Sequence, residues 1–349
     1  MSSAQTAPDA AIEASPYPLL LEPILKQKVW GGRRLAEFGK QLPPNTQIGE
    51  SWEVADLPTT APGGGGGGPA RSVIATGPLA GRTLHDAMRR WGSNLLGASS
   101  PTPAGDFPLL VKWLDAAEHL SVQVHPTAEY VAVHPEANLK TESWVVLDAD
   151  ADSHLYLGLH DGVAPADVAR GARDGALPGM LRRVAAVPGE CHHLPSGTIH
   201  ALGAGVLVAE VQTPSDTTFR LYDWASEYGR EGRELHLEQA LEVLDFGDPP
   251  APTTAPDDAA MAPLVSTEHY WIWQLRPGDR TYQESGGDSW RVLMVTAGSV
   301  QIHASDETFP SLELVNGDTV VVPAACVGAL LVRGSAGSET LLVGTGEEP

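Results

Sequence analysis

The chain has little from which to build a covalent framework. In 349 residues there are two cysteines, Cys191 and Cys326, far apart and in no paired spacing. That excludes a disulfide scaffold and argues against a multi-thiolate metal site. Basic residues are also scarce: 22 Lys and Arg stand against 44 Asp and Glu, and the net charge of -22 sets up a field that repels DNA, RNA and anionic lipid. An anion site must therefore be local, a few Lys and Arg outweighing a distant field at cellular ionic strength. No apolar run approaches the roughly 20 residues of a membrane span. Neither nucleic acid nor membrane is expected as a partner. The opening MSSAQTAPDAAIEASPYP has no basic start and no apolar stretch, so residues 1–16 read as a disordered leader rather than a signal peptide, and a cytoplasmic location is expected.

What is present describes a globular chain, 42% hydrophobic and 19% charged, longer than one usual core of roughly 100 to 200 residues. Residues 63–68 are six consecutive glycines between Pro62 and Pro69, expected to be an inserted, flexible surface loop without packing capacity. Helical patterns run over 83–97, 165–184 and 234–246; in the last, Leu237, Ala240, Leu241 and Leu244 recur at three and four residues. Strand-like runs, among them PLLVKWLDA, SWVVL, HLYLGL, GVLVAEVQ, RVLMVTA and DTVVVP, end mostly at Gly, Pro or Asp. The expectation is a mainly β protein with added helices: a first unit over 17–248, a linker over 249–263 and a second unit over 264–349.

Two internal echoes relate these units. GECHHLPSGTIH (189–200) and GDTVVVPAACVG (317–328) share Gly and Pro at the same interval, but Ala325 replaces Gly197 and Gly328 replaces His200. Upstream, Glu142-Ser143-Trp144 before VVL matches Asp288-Ser289-Trp290 before RVL. A duplicated barrel is expected, its second copy degenerate and without metal ligands.

The pattern G-x5-P-x-G-x2-H at 189–200 resembles the second motif of the cupin superfamily. Pro195 and Gly197 allow a sharp turn, after which His200 starts a strand with its ring inward. The resemblance implies two cupin-type β-barrel (jelly-roll) units. In LSVQVHP (120–126), Leu120, Val122 and Val124 alternate with Ser121, Gln123 and His125, so Gln123 and His125 share a face. Together with Glu142 and His200 they supply two imidazoles, a carboxylate and an amide oxygen, a set that suits a divalent metal such as zinc. A lone inward His is more often a hydrogen-bonded core residue; the conjunction of the motifs favours the metal. His192 and His193 are adjacent, point opposite ways on a strand, and are assigned no ligand role.

KVWGG (28–32), GESWEVA (49–55), FPLLVKWLDA (107–116), LSVQVHP, KTESW (140–144), LPSGTIHALGAG (194–205) and EVQTPSDTTFRLYDW (210–224) follow the order and spacing of type I mannose-6-phosphate isomerases, and the chain resembles their shorter bacterial branch over about 200 residues. The resemblance implies one Zn2+ per chain on Gln123, His125, Glu142 and His200. It implies catalytic roles for Lys140, Arg220 and Asp216, and a further active-site position for Lys112. Leu139 stands where the longer branch has His, so it carries no proton.

These residue types match the reaction so implied, the interconversion of mannose 6-phosphate and fructose 6-phosphate through a cis-enediolate. A metal polarises an oxygen beside the acidified carbon. Lys140 is a candidate base, because a neighbouring divalent cation disfavours its protonated form, and Asp216 is a second. Arg220 offers a planar fork to phosphate or enediolate oxygens, and Lys112 adds a point charge. Trp30, Trp52 and Trp144 are candidate pocket walls, and Glu53 either orients a Lys, binds a sugar hydroxyl or serves structure. The competing readings are a non-catalytic sugar-phosphate-binding cupin and a metal-dependent cupin dioxygenase. The expected partner is a sugar phosphate, and the expected state a monomer or small homo-oligomer.

Overall fold

The strand-like runs form strands, and two-sided burial explains their composition. FPLLVKWLDA folds as Leu110–Ala116 with all seven residues buried: Val111 and Trp113 enter one core, Leu114 and Ala116 another, as a two-residue period requires. The computed structural model describes residues 15–61, 65–284 and 287–349. Residues 1–14 of the expected leader and Gly63 and Gly64 of the glycine run lie outside the described residues.

The chain is mainly β. In the first unit a seven-stranded sheet runs in the order Thr253–Thr254, Glu190–Leu194, Glu142–Ala149, Val206–Gln212, Leu110–Ala116, Glu50–Val54, Ile24–Lys26. Facing it is a five-stranded sheet, Leu181–Ala185, His154–Leu159, His200–Leu202, Val122–Val124, Phe219–Tyr222. Trp30, Leu120, Trp144, Leu155, Leu202 and Val208 fill the space between. Leu120 belongs to this inner core, whereas Val122 and Val124 face outward against helices Ala128–Val133, Pro165–Asp174 and Leu237–Val243. The three do not share one face, because the strand begins only at Val122.

Helix ends follow local chemistry. In the 83–97 stretch, Thr83 Oγ1 accepts from Asp86 N and Asp86 Oδ2 accepts from Thr83 N, a capping box that starts Leu84–Trp91. The helix expected over 165–184 stops at Gly175, left-handed at φ 76°. Residues Leu181–Ala185 are instead an edge strand on His154–Leu159, tertiary pairing overriding the helical pattern.

The second unit pairs a four-stranded sheet with a seven-stranded one, and the latter is completed from the start of the chain. Leu19–Glu22 lies against Thr319–Val322 on one side and Val73–Ile74 on the other. Residues 249–263 are tied in as well, Thr253 and Thr254 pairing with Cys191 and Glu190. In the segment expected to echo the turn before His200, the chain forms a short helix, Ala324–Val327, before Gly328. Among the described residues no helix is long and apolar enough to cross a membrane. Both cysteines are buried as free thiols, and burial pushes each up to about 12.

A buried charge pair joins the two units. Lys40 Nζ donates to Glu53 Oε2 at 2.7 Å and also to Gly317 O; Ser51 Oγ and Thr319 Oγ1 donate to the same carboxylate. This corrects the expectation that Glu53 contacts substrate. On a strand, Glu53 points opposite to Trp52, toward the second unit, and orients Lys40 instead. Lys40→Met should destabilise the protein by about 3–5 kcal/mol, because it strands a buried carboxylate. Urea denaturation checks this, and an unchanged midpoint would remove the pair from the interface energetics.

Candidate active site

Two rows of side chains, set by strand register, face each other inside the first unit. On the five-stranded sheet Gln123 lies between His200 and Arg220. On the seven-stranded sheet Trp52, Lys112, Glu210 and Trp144 follow one another across four strands. Glu142 opens the Glu142–Ala149 strand opposite Gln212. The turn before His200 requires glycine at 197: its φ is 87°, a Cβ there would come within 2.8 Å of Val243 O, and its N–H bonds His125 O. The turn thereby sets one candidate ligand strand against the other.

Three of the expected residues, His125, Glu142 and His200, bring candidate ligand atoms together. His200 Nδ1 donates to Thr198 O at 2.8 Å and His125 Nδ1 to Thr217 O at 3.1 Å. Each imidazole is thereby left with its Nε2 lone pair. His125 Nε2 lies 3.3 Å from Glu142 Oε2, and His200 Nε2 3.2 Å from Glu142 Oε1. Among the described residues, His125 Nε2 and Glu142 Oε1 are buried without a hydrogen-bond partner, and Glu142 Oε2 has only the Lys140 ammonium as a donor beside it. Ligand atoms held about 2.0–2.1 Å from a tetrahedral zinc stand about 3.3 Å from one another, so the spacing fits a metal ion. Gln123 Nε2 is 3.2 Å from His200 Nε2; half a turn of the amide would offer Oε1 as a further donor. Burial and Lys140 push the His125 imidazole down to about 3, against the pull of Glu142, so it is neutral and able to ligate. Burial opposes the charged form of Glu142, yet neighbouring Lys140 holds its carboxyl well below the usual range.

Of these residues Gln123 borders a cavity of about 440 Å³, lined also by Trp30, Trp52, Lys112, Lys140, Asp216 and Arg220. Lys140 Nζ lies 2.9 Å from Glu142 Oε2. Arg220 donates to Glu234 O at 2.8 Å and, among the described residues, has no carboxylate in ion-pair reach. Burial and neighbouring Arg233 lower it to about 10, still a cation at neutral pH and one that an anion would stabilise. Lys112 departs from the expected free point charge. It donates to Glu210 Oε1 at 2.8 Å and Gln212 Oε1 at 2.6 Å; burial opposes its charge, but Glu210 and Glu50 raise it above the ordinary lysine range. Asp216 reaches the cavity, with its carboxylate on backbone amides.

Sequence reasoning missed Glu50, Glu210 and Lys28. Glu50 sits in the same block as Glu53, and because both faces of that strand are buried, polarity does not reveal which carboxylate faces the cavity. The signal that separates them is Trp52, two residues from Glu50 and donating to its Oε2 at 2.6 Å. A second cluster of metal-capable side chains, Asp56, His85 and Asp106, is closed by Arg71, 3.3 Å from both carboxylates.

Comparison with known proteins agrees with this geometry. The family model of the phosphomannose isomerase type I catalytic domain matches residues 19–144. Mannose-6-phosphate isomerase ManA of Bacillus subtilis (strain 168) is 33% identical over 316 residues, 88% of this chain and 93% of that protein. This chain belongs to the type I phosphomannose isomerases. Within that family, the mannose-6-phosphate isomerase of Streptococcus mutans serotype c is 32% identical over 314 residues, 88% and 92% of the two chains. The crystal structure of the mannose 6-phosphate isomerase from Bacillus subtilis has a TM-score of 0.78 at 28% identity, covering 94% of this chain and 99% of that one.

In this phosphomannose isomerase the electrostatics of the cavity wall set an acid limit on stability. Burial would raise the Glu50 carboxyl, but Lys28 at 3.1 Å and Lys112 override it and lower it from 4.5 to about 2. A folded-state value below the unfolded one contributes stability that is present above about pH 4.5 and is lost as pH falls toward 2. Glu50→Gln should cost about 2–3 kcal/mol at pH 7 and flatten the fall of Tm between pH 4.5 and 2. Calorimetry across that range checks it, and an unaltered slope would contradict it.

Proposed function

We propose that this chain is a zinc-dependent aldose-ketose isomerase that interconverts mannose 6-phosphate and fructose 6-phosphate, moving a proton between C2 and C1 through a cis-enediolate. The supporting observation is that the Arg220 guanidinium, the buried Lys140 amine and the Gln123 amide border one cavity of about 440 Å³, and that the amine stands 2.9 Å from the carboxylate of the converging set His125, Glu142 and His200. The relatives named for this activity support the same reading.

His125, Glu142 and His200, with the Gln123 amide, would hold the ion. When bound, zinc supplies Lewis acidity toward the oxygens beside the reacting carbons. Arg220 binds negative charge, on phosphate or on the developing enediolate, through its planar fork. Lys140 lies beside the ligand set on the cavity wall and is the group placed to move the proton on one face of the enediol. Trp30 and Trp52 wall the cavity and limit water. Lys112, bound to Glu210, shapes the wall and leaves the anion to Arg220. A binding module would not require an amine beside the ligand carboxylate, and Gln123 in place of a first His disfavours an iron dioxygenase.

A coupled assay with mannose 6-phosphate tests the reading. Turnover should vanish on verified metal removal and return with zinc; a zinc-loaded protein that does not turn over would overturn it. His200→Ala should lose tight zinc binding. Arg220→Ala should keep one zinc per chain while kcat/KM falls about 10²–10³-fold, and metal analysis beside kinetics separates the two effects.

A further inference from the structure

Asp216 is among the expected proton carriers, but its surroundings give the carboxylate another task. Its Oδ2 accepts from Ala61 N at 2.7 Å and Gly65 N at 3.0 Å. A carboxylate oxygen that accepts from two N–H groups is a strong anchor, and Oδ2 spends its lone pairs on the loop backbone.

The described part of the loop is folded, contrary to the flexible insertion expected. Gly65 is buried, and a Cβ there would lie within 2.7 Å of three Thr60 side-chain atoms, so only glycine fits. Lys26 Nζ donates to Gly65 O at 2.7 Å while standing 4.9 Å over the Trp52 ring. Gly66 N returns to Ala61 O, and Thr60 Oγ1 bonds both Gly67 N and Gly68 O. Ala61 lines the same cavity as Lys140 and Arg220.

We propose that Asp216 is a positioning residue that fixes the loop wall of the substrate cavity at Ala61, and that it does not carry the proton. This rests on the isomerase reading above. Substrate fit then depends on a hydrogen-bond acceptor at 216, not on a base, and the amide oxygen of asparagine satisfies the same two N–H groups.

The test compares Asp216→Ala and Asp216→Asn in the zinc-loaded full chain. Asp216→Ala should raise KM for mannose 6-phosphate about 5–10-fold with kcat within about two-fold, and should speed hydrogen exchange at the Ala61 and Gly65 amides. Asp216→Asn should restore both KM and amide protection and leave the pH profile of kcat/KM unmoved. Loss of kcat by 100-fold or more in Asp216→Asn, with loss of the acid-side limb of the pH profile and protected amides, would overturn the inference; so would an Asp216→Ala protein with unaltered KM and unaltered exchange. If the wild type itself does not turn over, the isomerase reading fails separately, and amide exchange alone decides whether Asp216 holds the loop.

Discussion

The ion pair between Lys112 and Glu210 organises the cavity. A buried cation is tolerated only with an anion and further hydrogen bonds around it, and these are met in both directions across the sheet. Glu210 accepts from Trp144 Nε1 at 2.8 Å, and Trp144 meets the His200 ring edge-on at 5.3 Å. On the other side Lys112 stands 5.2 Å over Trp52, which donates to Glu50, which pairs with Lys28. One line of alternating charge and indole thus runs from Lys28 to His200. The orientation of a candidate metal-binding imidazole is coupled through it to groups on the far side of four strands.

The same sheet is buried on its back, and there the second unit takes part. Glu50 and Trp52 look into the cavity, while Ser51 and Glu53 look the other way and meet Lys40 and Thr319. Val111, Trp113, Val145, Ala209 and Val211 share a core with Trp290, Val292 and Val343. The second unit therefore replaces water behind the active-site wall, and its side chains clamp the strand that carries Glu50 and Trp52.

Much of this was legible in the sequence. The turn chemistry of Pro195 and Gly197 and the two-residue spacing of Gln123 and His125 place three of the four candidate ligands, because local geometry alone decides them. Parity on a strand buried on both faces is not local, so the sequence leaves several roles open for Glu53 and does not reveal that Glu50 faces the cavity. The glycine run read as flexible because its composition cannot show that Asp216, far along the chain, accepts from its backbone. The helical stretch 165–184 overran for a similar reason, since the pairing of Leu181–Ala185 with His154–Leu159 is written in the partner strand.

The strand Leu19–Glu22 carries a consequence for how the chain is made. It leaves the ribosome long before its partners, since Leu19 and Leu20 pair with Val321 and Val320. Until those residues emerge, LLLE has only the short Val73–Ile74 strand beside it, and contacts of such high sequence separation form late. Completion of that sheet therefore waits until Thr319–Val322 has been made. A nascent chain halted before Val320 would present an unpaired apolar edge, so the interval between the making of the two strands is when this protein most needs protection from aggregation.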